Sequence, residues 1–418
     1  MQRTARTTAV PGTYVVLAWI CLVVGVNQLG FGIIVPVLPL YASSFGVTQT
    51  AIGMAIAVYG LGRLLFDLPM GRLTDRFGRR TILLVGTLIT AVGSLLCGLA
   101  GDFGQLILFR FVAGVGAATV LTGAQVMLAD ISSRENRGRV MSIYQGAFLF
   151  AVGFGPTPGG FIADLLGYRA PFFTFAVLGL VAGLIAFAAL PETRGLGGGS
   201  SNLDASPSTS SAVHQLLTST GFILICLVSF AQFFARTGAI FSVVPVVGYD
   251  RIGLSPSQIG VAITLGNMLN FTVIWISGIL VDRYGRKAVI VPSTVVSATA
   301  FVAFAVADSY GLFTLGALLW GIGGGIGGAA PAAYAADLAP AGANGITMGI
   351  YRTVADAGYV VGPALLGLVA DQMGAPQALT LTALVFLVAA TLFAAFAPET
   401  AGGRRAKTAA TFRPPGRS

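Results

Sequence analysis

Charge is what this chain has least of. Asp, Glu, Lys and Arg together make up 9% of its 418 residues, against roughly 25% in ordinary soluble domains. Histidine occurs once, at His214 in a Gly/Ser-rich stretch, so a His-based metal centre has nothing to be built from. Cysteine occurs three times, at Cys21, Cys97 and Cys226. Each lies inside an apolar run without metal-ligand spacing, so they read as small buried hydrophobes and imply no disulfide. No H-E-x-x-H, G-x-S-x-G or G-x-x-x-x-G-K-[ST] is present, and the sequence indicates neither an enzyme nor a metal or cofactor site. The run "GGGIGG" at 323–328 contains a formal G-x-G-x-x-G. It follows no strand and lies within an apolar run, which excludes a dinucleotide fingerprint.

What is abundant is apolar. Hydrophobic residues make up 55% of the chain and the mean hydropathy is +0.86. No soluble core absorbs that fraction, so the natural solvent is a lipid bilayer. A membrane-crossing helix needs about 20 apolar residues. Such runs lie near 14–40, 51–71, 81–100, 104–129, 138–166 and 171–190, then near 217–247, 257–280, 288–307, 310–336, 345–370 and 376–397. The first is longer than the ~7–15-residue core of a cleavable signal and reads as a span. Between the two sets runs "RGLGGGSSNLDASPSTSSAVH", of flexible-linker composition.

The formal charge of +9 comes from basic residues in short loops and at the ends, an arrangement that sets topology and offers no nucleic-acid face. Eighteen of the 24 Lys and Arg residues fall in segments that share one side when both ends are cytoplasmic. Two, Arg169 and Arg251, fall opposite, and Arg63, Arg110, Arg236 and Arg352 lie within spans. The positive-inside rule therefore places both termini inside.

One short phrase is written twice: "GRLTDRFGRR" at 71–80 and "GILVDRYGRK" at 278–287. The offset of 207 residues carries Gly71, Asp75, Gly78, Arg79 and Arg80 onto Gly278, Asp282, Gly285, Arg286 and Lys287. The same register holds from Asp130 to Asp337, from Gly155-Pro156 to Gly362-Pro363, from Gly160 to Gly367, from Asp164 to Asp371, and from "PET" at 191–193 to "PET" at 398–400. The chain is thus two copies of a six-helix unit. We read 1–193 as the first unit, 194–215 as a linker, 216–400 as the second unit and 401–418 as a basic cytoplasmic tail. Duplicated membrane halves with a site between them are a transporter architecture.

These phrases resemble the major facilitator superfamily over nearly the whole chain. The resemblance implies an all-α membrane protein of twelve transmembrane helices in two pseudo-symmetric six-helix bundles. Three further stretches are similar to motifs of the twelve-span drug:proton antiporters: "LGFGIIVPVLP" (29–39), "RFVAGVGAA" (110–118) and "GAFLFAVGFGPTPGG" (146–160). The last includes Gly146, Gly153, Gly155, Pro156, Gly159 and Gly160.

The resemblance gives the repeated loops a gating role. It implies pairing of Arg79 with Asp130 and of Arg286 with Asp337. It places Asp75 near the N-terminus of helix 11, where a carboxylate favours the positive helix end, with Asp282 used likewise in the second copy. Arg76, Arg79 and Arg80 also serve as a positive-inside anchor, while the glycines are read as tight turns or close approaches. In the 146–160 motif small residues permit close helix packing and the prolines bend the helix. The resemblance adds a seal against leak.

Ionisable residues inside spans are costly and functional. Arg63 and Asp67 share a helix face, and Arg352 and Asp356 repeat that spacing. Asp67 is either one half of a gate pair or a structural ion. At the depth of Asp356, burial favours the protonated carboxyl and a nearby arginine favours the carboxylate, so it suits proton loading and release; a static ion pair is the alternative. Arg110 maps to Ala317 and Arg236 to Leu29, so neither belongs to the repeat. By resemblance Arg110 takes part in proton coupling. Asn27, Gln28, Gln145, Gln232, Arg236, Asn267 and Asn270 are candidates for a cavity lining or for interhelical hydrogen bonds. The expectation is a multi-pass carrier of a bacterial inner membrane, exporting small lipophilic molecules against inward proton movement, with no nucleic-acid partner. Uptake of a metabolite together with protons is the alternative.

Overall fold

A bilayer offers backbone N–H and C=O groups no partners, so a spanning chain has to satisfy them within itself as helix. The computed structural model of the chain describes residues 12–133, 136–194, 209–340 and 343–400, and no strand occurs among them. Among the described residues twelve helices are long and apolar enough to cross a membrane. The basic tail and most of the 194–215 linker lie outside the described residues.

Packing divides the chain into two units, 1–35 with 58–201 and 36–57 with 202–418, and the division falls inside the second span. The first unit holds α1 (Thr13–Ile34), most of α2 (Gln49–Phe77), α3 (Arg79–Leu99), α4 (Phe103–Ile131), α5 (Arg137–Leu166) and α6 (Ala170–Ala189). Its core gathers Leu17, Ile20 and Val24 of α1 against Leu83, Val120, Met127, Val140 and Ala186. Close backbone approach comes from glycine. A Cβ at Gly93 would lie 2.7 Å from the Ala113 nitrogen, and one at Gly155 would lie 2.6 Å from the Gly32 Cα. Small residues that let backbones meet replace the hydrophobic driving force that lipid removes.

The second unit holds α7 (Thr220–Arg251), α8 (Pro256–Tyr284), α9 (Lys287–Val306), α10 (Tyr310–Asp337), α11 (Asn344–Met373) and α12 (Ala375–Phe396), with residues 36–57 packed among them. Buried Phe301 anchors an aromatic cluster, with ring centroids 5.2 Å from Trp320 and 5.7 Å from Phe386.

Three spans differ from the hydropathy reading. The first apolar run continues to residue 40, but the helix stops at Ile34 and a short helix, Leu38–Ser43, follows. Pro36 and Pro39 lack the N–H groups that would continue the first helix, and hydropathy is blind to that. A separate helix, Thr209–Thr218, precedes α7, and α7 itself widens into π-type turns over Ala235–Val243 and Val247–Arg251. Finally, α10 breaks at Gly328, where φ is +39°, and resumes at Ala330. Pro331, with no N–H, cannot serve the Gly327 carbonyl, and the Ser277 hydroxyl donates to the neighbouring Ile326 carbonyl at 2.7 Å. Its repeat counterpart α4 is unbroken.

Candidate functional site

The repeated loop forms one cluster in each unit. In the first, α2 ends at Phe77, Gly78 turns the chain at φ +93°, and α3 starts at Arg79. The opening N–H groups of a helix lack intrahelical partners and carry its positive end. Glu192, which follows α6, covers them: its carboxylate accepts from the Arg79 nitrogen at 2.9 Å and from the Arg80 nitrogen at 3.2 Å. A Cβ on Gly78 would lie 2.4 Å from Glu192 Oε2. Glycine is required there for both its φ and its size.

Arg79 then organises the rest. Its Nε donates to Asp130 Oδ2 at 2.7 Å, its Nη2 lies 3.1 Å from Asp75 and its Nη1 donates to the Thr74 carbonyl at 3.3 Å. The Arg79 and Asp130 side chains are 11% and 12% exposed, whereas Asp75 is 71% exposed. Thr193 donates its hydroxyl to the same Asp130 oxygen at 3.0 Å. Arg80 donates to the Phe187 carbonyl and stacks over the Phe187 ring at 5.3 Å. Arg76 lies over the Phe77 ring, and its carbonyl accepts from Arg194 at 3.0 Å.

The second unit repeats the glutamate, arginine, aspartate and threonine contacts of this arrangement. Gly285 turns at φ +94°, and Glu399 accepts from the Arg286 and Lys287 nitrogens at 3.0 Å each. Arg286 donates to Asp337 at 3.3 Å, Thr400 donates to Asp337 at 3.0 Å, and Lys287 Nζ reaches the Ala397 carbonyl at 2.8 Å. Arg286 and Asp337 are more exposed than their counterparts, at 24% and 37%. Asp282 stands in the last turn of α8, its side chain outside the described residues.

Sequence reading missed Glu192, Thr193, Glu399 and Thr400, which it used only to mark register. A carboxylate and a hydroxyl at matching places after two apolar runs were the available signal. Gly71 and Gly278 depart from the expected tight approach: a Cβ on Gly71 has Thr122 at 3.9 Å as its nearest neighbour, and one on Gly278 has nothing within 4 Å. Both lie inside helices, so the turn requirement falls on Gly78 and Gly285 alone.

In the 146–160 motif, Gly155 meets Gly32 and Gly159 meets the Ile33 carbonyl, so α5 lies against α1 backbone to backbone. Gly146 faces open space, Gly153 and Gly160 are buried, and Pro156 opens the second segment of α5. Gly155 keeps helical dihedrals (φ −53°, ψ −38°), so the prolines interrupt α5 without a sharp turn at this residue.

Of the intramembrane charges, Arg110 is 2% exposed, with its guanidinium 4.4 Å from the centroid of the Tyr59 ring. Tyr59 in turn stacks on Phe31 at 5.2 Å. Arg63 and Asp67 are half-buried, and Asp67 accepts from the Thr122 hydroxyl at 3.4 Å. Arg352 is exposed and Asp356, one turn on, is half-buried. Arg236 lies in the π-type segment of α7, 5.8 Å from the Phe241 ring.

The cavity candidates separate by burial. Asn27 and Gln28 are buried, at 1% and 5% exposure, and so line no open surface. Gln145 is exposed, while Gln232, Asn267 and Asn270 are half-buried. The Asn270 amide crowds the open side of Gly324. No cluster of three or more His, Cys, Asp or Glu residues able to hold a metal occurs among the described residues.

Twelve membrane-length helices, written as two copies that each close the same Glu–Arg–Asp cluster, define a duplicated helical carrier. The sequence model of the Major Facilitator Superfamily matches residues 20–274 and 225–416, and the chain belongs to that family. It is a multi-pass membrane transporter and not an enzyme. An uncharacterized MFS-type transporter of Methanocaldococcus jannaschii is 24% identical over 83% of this chain and 89% of its own length. Quinolone resistance protein NorA of Staphylococcus aureus is 26% identical over 57% of this chain, a match that spans 60% of NorA. Multidrug resistance protein 2 of Bacillus subtilis is 26% identical over 63% of this chain and 66% of its own length. Among solved structures, an inward-facing bacterial homolog of the human lysosomal transporter Spinster superimposes with a TM-score of 0.79 at 16% identity, covering 92% of this chain and 96% of that one.

Proposed function

We propose that the protein is a proton-coupled exporter of small lipophilic molecules, working by alternating access in the cytoplasmic membrane of a bacterium with both termini inside. The observation that carries this reading is the α5 motif, whose Gly155 and Gly159 lie against Gly32 and Ile33 of α1. Close backbone packing between α1 and α5 suits an exchanger, which has to hold a gradient. The resistance proteins among the relatives support export of drug-like compounds. Asp356, half-buried about eleven residues into the 345–370 run and one turn from Arg352 on α11, is the proton site, and the buried Arg110 takes part in the coupling. The two Glu–Arg–Asp clusters gate the inner ends of the units.

Reconstitution into vesicles with an imposed pH gradient tests compound and direction together. Movement of a lipophilic compound opposite to the protons supports export. Accumulation of a metabolite in the direction of proton flow replaces export with uptake.

A further inference from the structure

The repeat writes a second phrase twice, Gly-Pro-x-x-x-Gly-x-x-Ala-Asp at 155–164 and at 362–371. Its terminal aspartate takes no part in the clusters or in the proton site. In the second copy the structure shows what the phrase does. Pro363, Gly367 and Asp371 stand one turn apart along a single face of α11, and each meets the start of α2.

A Cβ on Gly53 would lie 2.0 Å from the Pro363 carbonyl oxygen. One on Gly367 would lie 2.5 Å from the Gln49 oxygen and 2.8 Å from the Thr50 Cα. Over two turns, therefore, backbone meets backbone. At the third turn the Asp371 carboxylate accepts from the Gln49 nitrogen at 2.6 Å, from the Thr50 nitrogen at 2.9 Å and from the Thr50 hydroxyl at 2.5 Å. It thereby takes up the unsatisfied N–H groups that open α2, at that helix's positive end.

The materials of this seam suit repeated opening. At Gly53 and Gly367 its contacts are backbone on backbone, which bury less apolar surface than interlocked side chains would. Its three hydrogen bonds are exposed, and water can replace each of them. The register carries Thr50, Gly53, Pro363, Gly367 and Asp371 onto Ser257, Gly260, Pro156, Gly160 and Asp164, the same kind of residue at all five places. Moreover, α2 packs in two parts, 49–57 in the second unit and 58–77 in the first. The far end of that helix carries Asp75 and the loop cluster, so the seam lies at the opposite end from the gate already described.

We propose that Asp371 is the latch of an outer gate, holding the start of α2 against α11 in the conformation seen here and releasing it when solute passes. The inference rests on the alternating-access reading above.

Cross-linking tests it. In the full chain with Cys21, Cys97 and Cys226 replaced by serine, Thr50→Cys and Asp371→Cys together place two thiols across the latch. Oxidation should stop pH-driven transport in vesicles, and a reductant should restore it in the same sample. A second arm reads the latch without transport: a single Gln49→Cys should label with a water-soluble maleimide several-fold faster when Asp371→Asn is added. A static cap predicts transport that survives complete cross-linking and an unchanged labelling rate. That pair of results overturns the latch and leaves the proposed exporter standing. A parent chain, with Thr50 and Asp371 in place, that moves no compound overturns the exporter, and the labelling arm still decides the latch.

Discussion

Arg79 and Asp130 are joined at 2.7 Å, and their repeat partners Arg286 and Asp337 at 3.3 Å. The same pair has been kept in both copies but is buried more deeply in the first. A charge-assisted bond gains strength as water is excluded. The two clusters therefore contribute unequally, and Asp130→Asn should lower the melting temperature of the purified protein more than Asp337→Asn does. Equal shifts would make the difference in burial irrelevant to stability.

Glu192 covers two N–H groups at the start of α3 from 113 residues away. Glu192→Ala removes a helix cap and should cost about 1 kcal/mol, read as a lower unfolding midpoint. Glu192→Gln keeps an acceptor and should recover part of that loss. A variant as stable as the parent would reduce the "PET" carboxylate to a marker of register.

Gly78 and Gly71 make opposite predictions although both belong to the repeated phrase. Gly78→Ala forces φ +93° on an alanine and drives its Cβ to 2.4 Å from Glu192. The backbone strain alone costs about 1–3 kcal/mol, so folded yield should fall. Gly71→Ala has open space inside a helix and should be neutral or stabilising by up to about 1 kcal/mol. Matched yields of the two variants would contradict the geometry.

These contrasts mark where sequence is informative. Twelve spans and their duplication were legible because hydropathy and register are one-dimensional quantities, and a bilayer admits only helix for such runs. The end of α1 was not legible, because residues 35–40 are as apolar as the helix before them and only Pro36 and Pro39 stop it. Nor was the burial of Asn27 and Gln28, since a span that is apolar all round shows no preferred face. The capping by Glu192 and the latch at Asp371 depend on contacts between residues 113 and 322 apart, which no local pattern encodes. Gly71 shows the converse error, where a repeated letter was read as a requirement and the packing imposes none.

Tyr59 covers the guanidinium of Arg110 in a site closed to water. A cation held over a ring away from solvent gains about 2 kcal/mol. Tyr59→Phe keeps the ring and should transport like the parent, while Tyr59→Leu leaves a buried arginine without that face and should be less stable and poorly coupled. The comparison is made on protein of matched amount in vesicles. A Leu variant with parental coupling would remove Tyr59 from any role in positioning Arg110.

Asp356 separates binding from coupling. Asparagine has nearly the shape of a protonated aspartate, but it can neither take up nor give away a proton. Asp356→Asn should therefore still exchange labelled for unlabelled solute across vesicles at equal pH, because that process needs no net proton movement. The same vesicles should fail to concentrate solute when a pH gradient is imposed. Asp67→Asn provides the comparison: as a residue paired with Thr122 near a loop, it should slow both processes alike. If Asp356→Asn concentrates solute as well as the parent does, the proton is carried by another group and Asp356 has no part in the coupling.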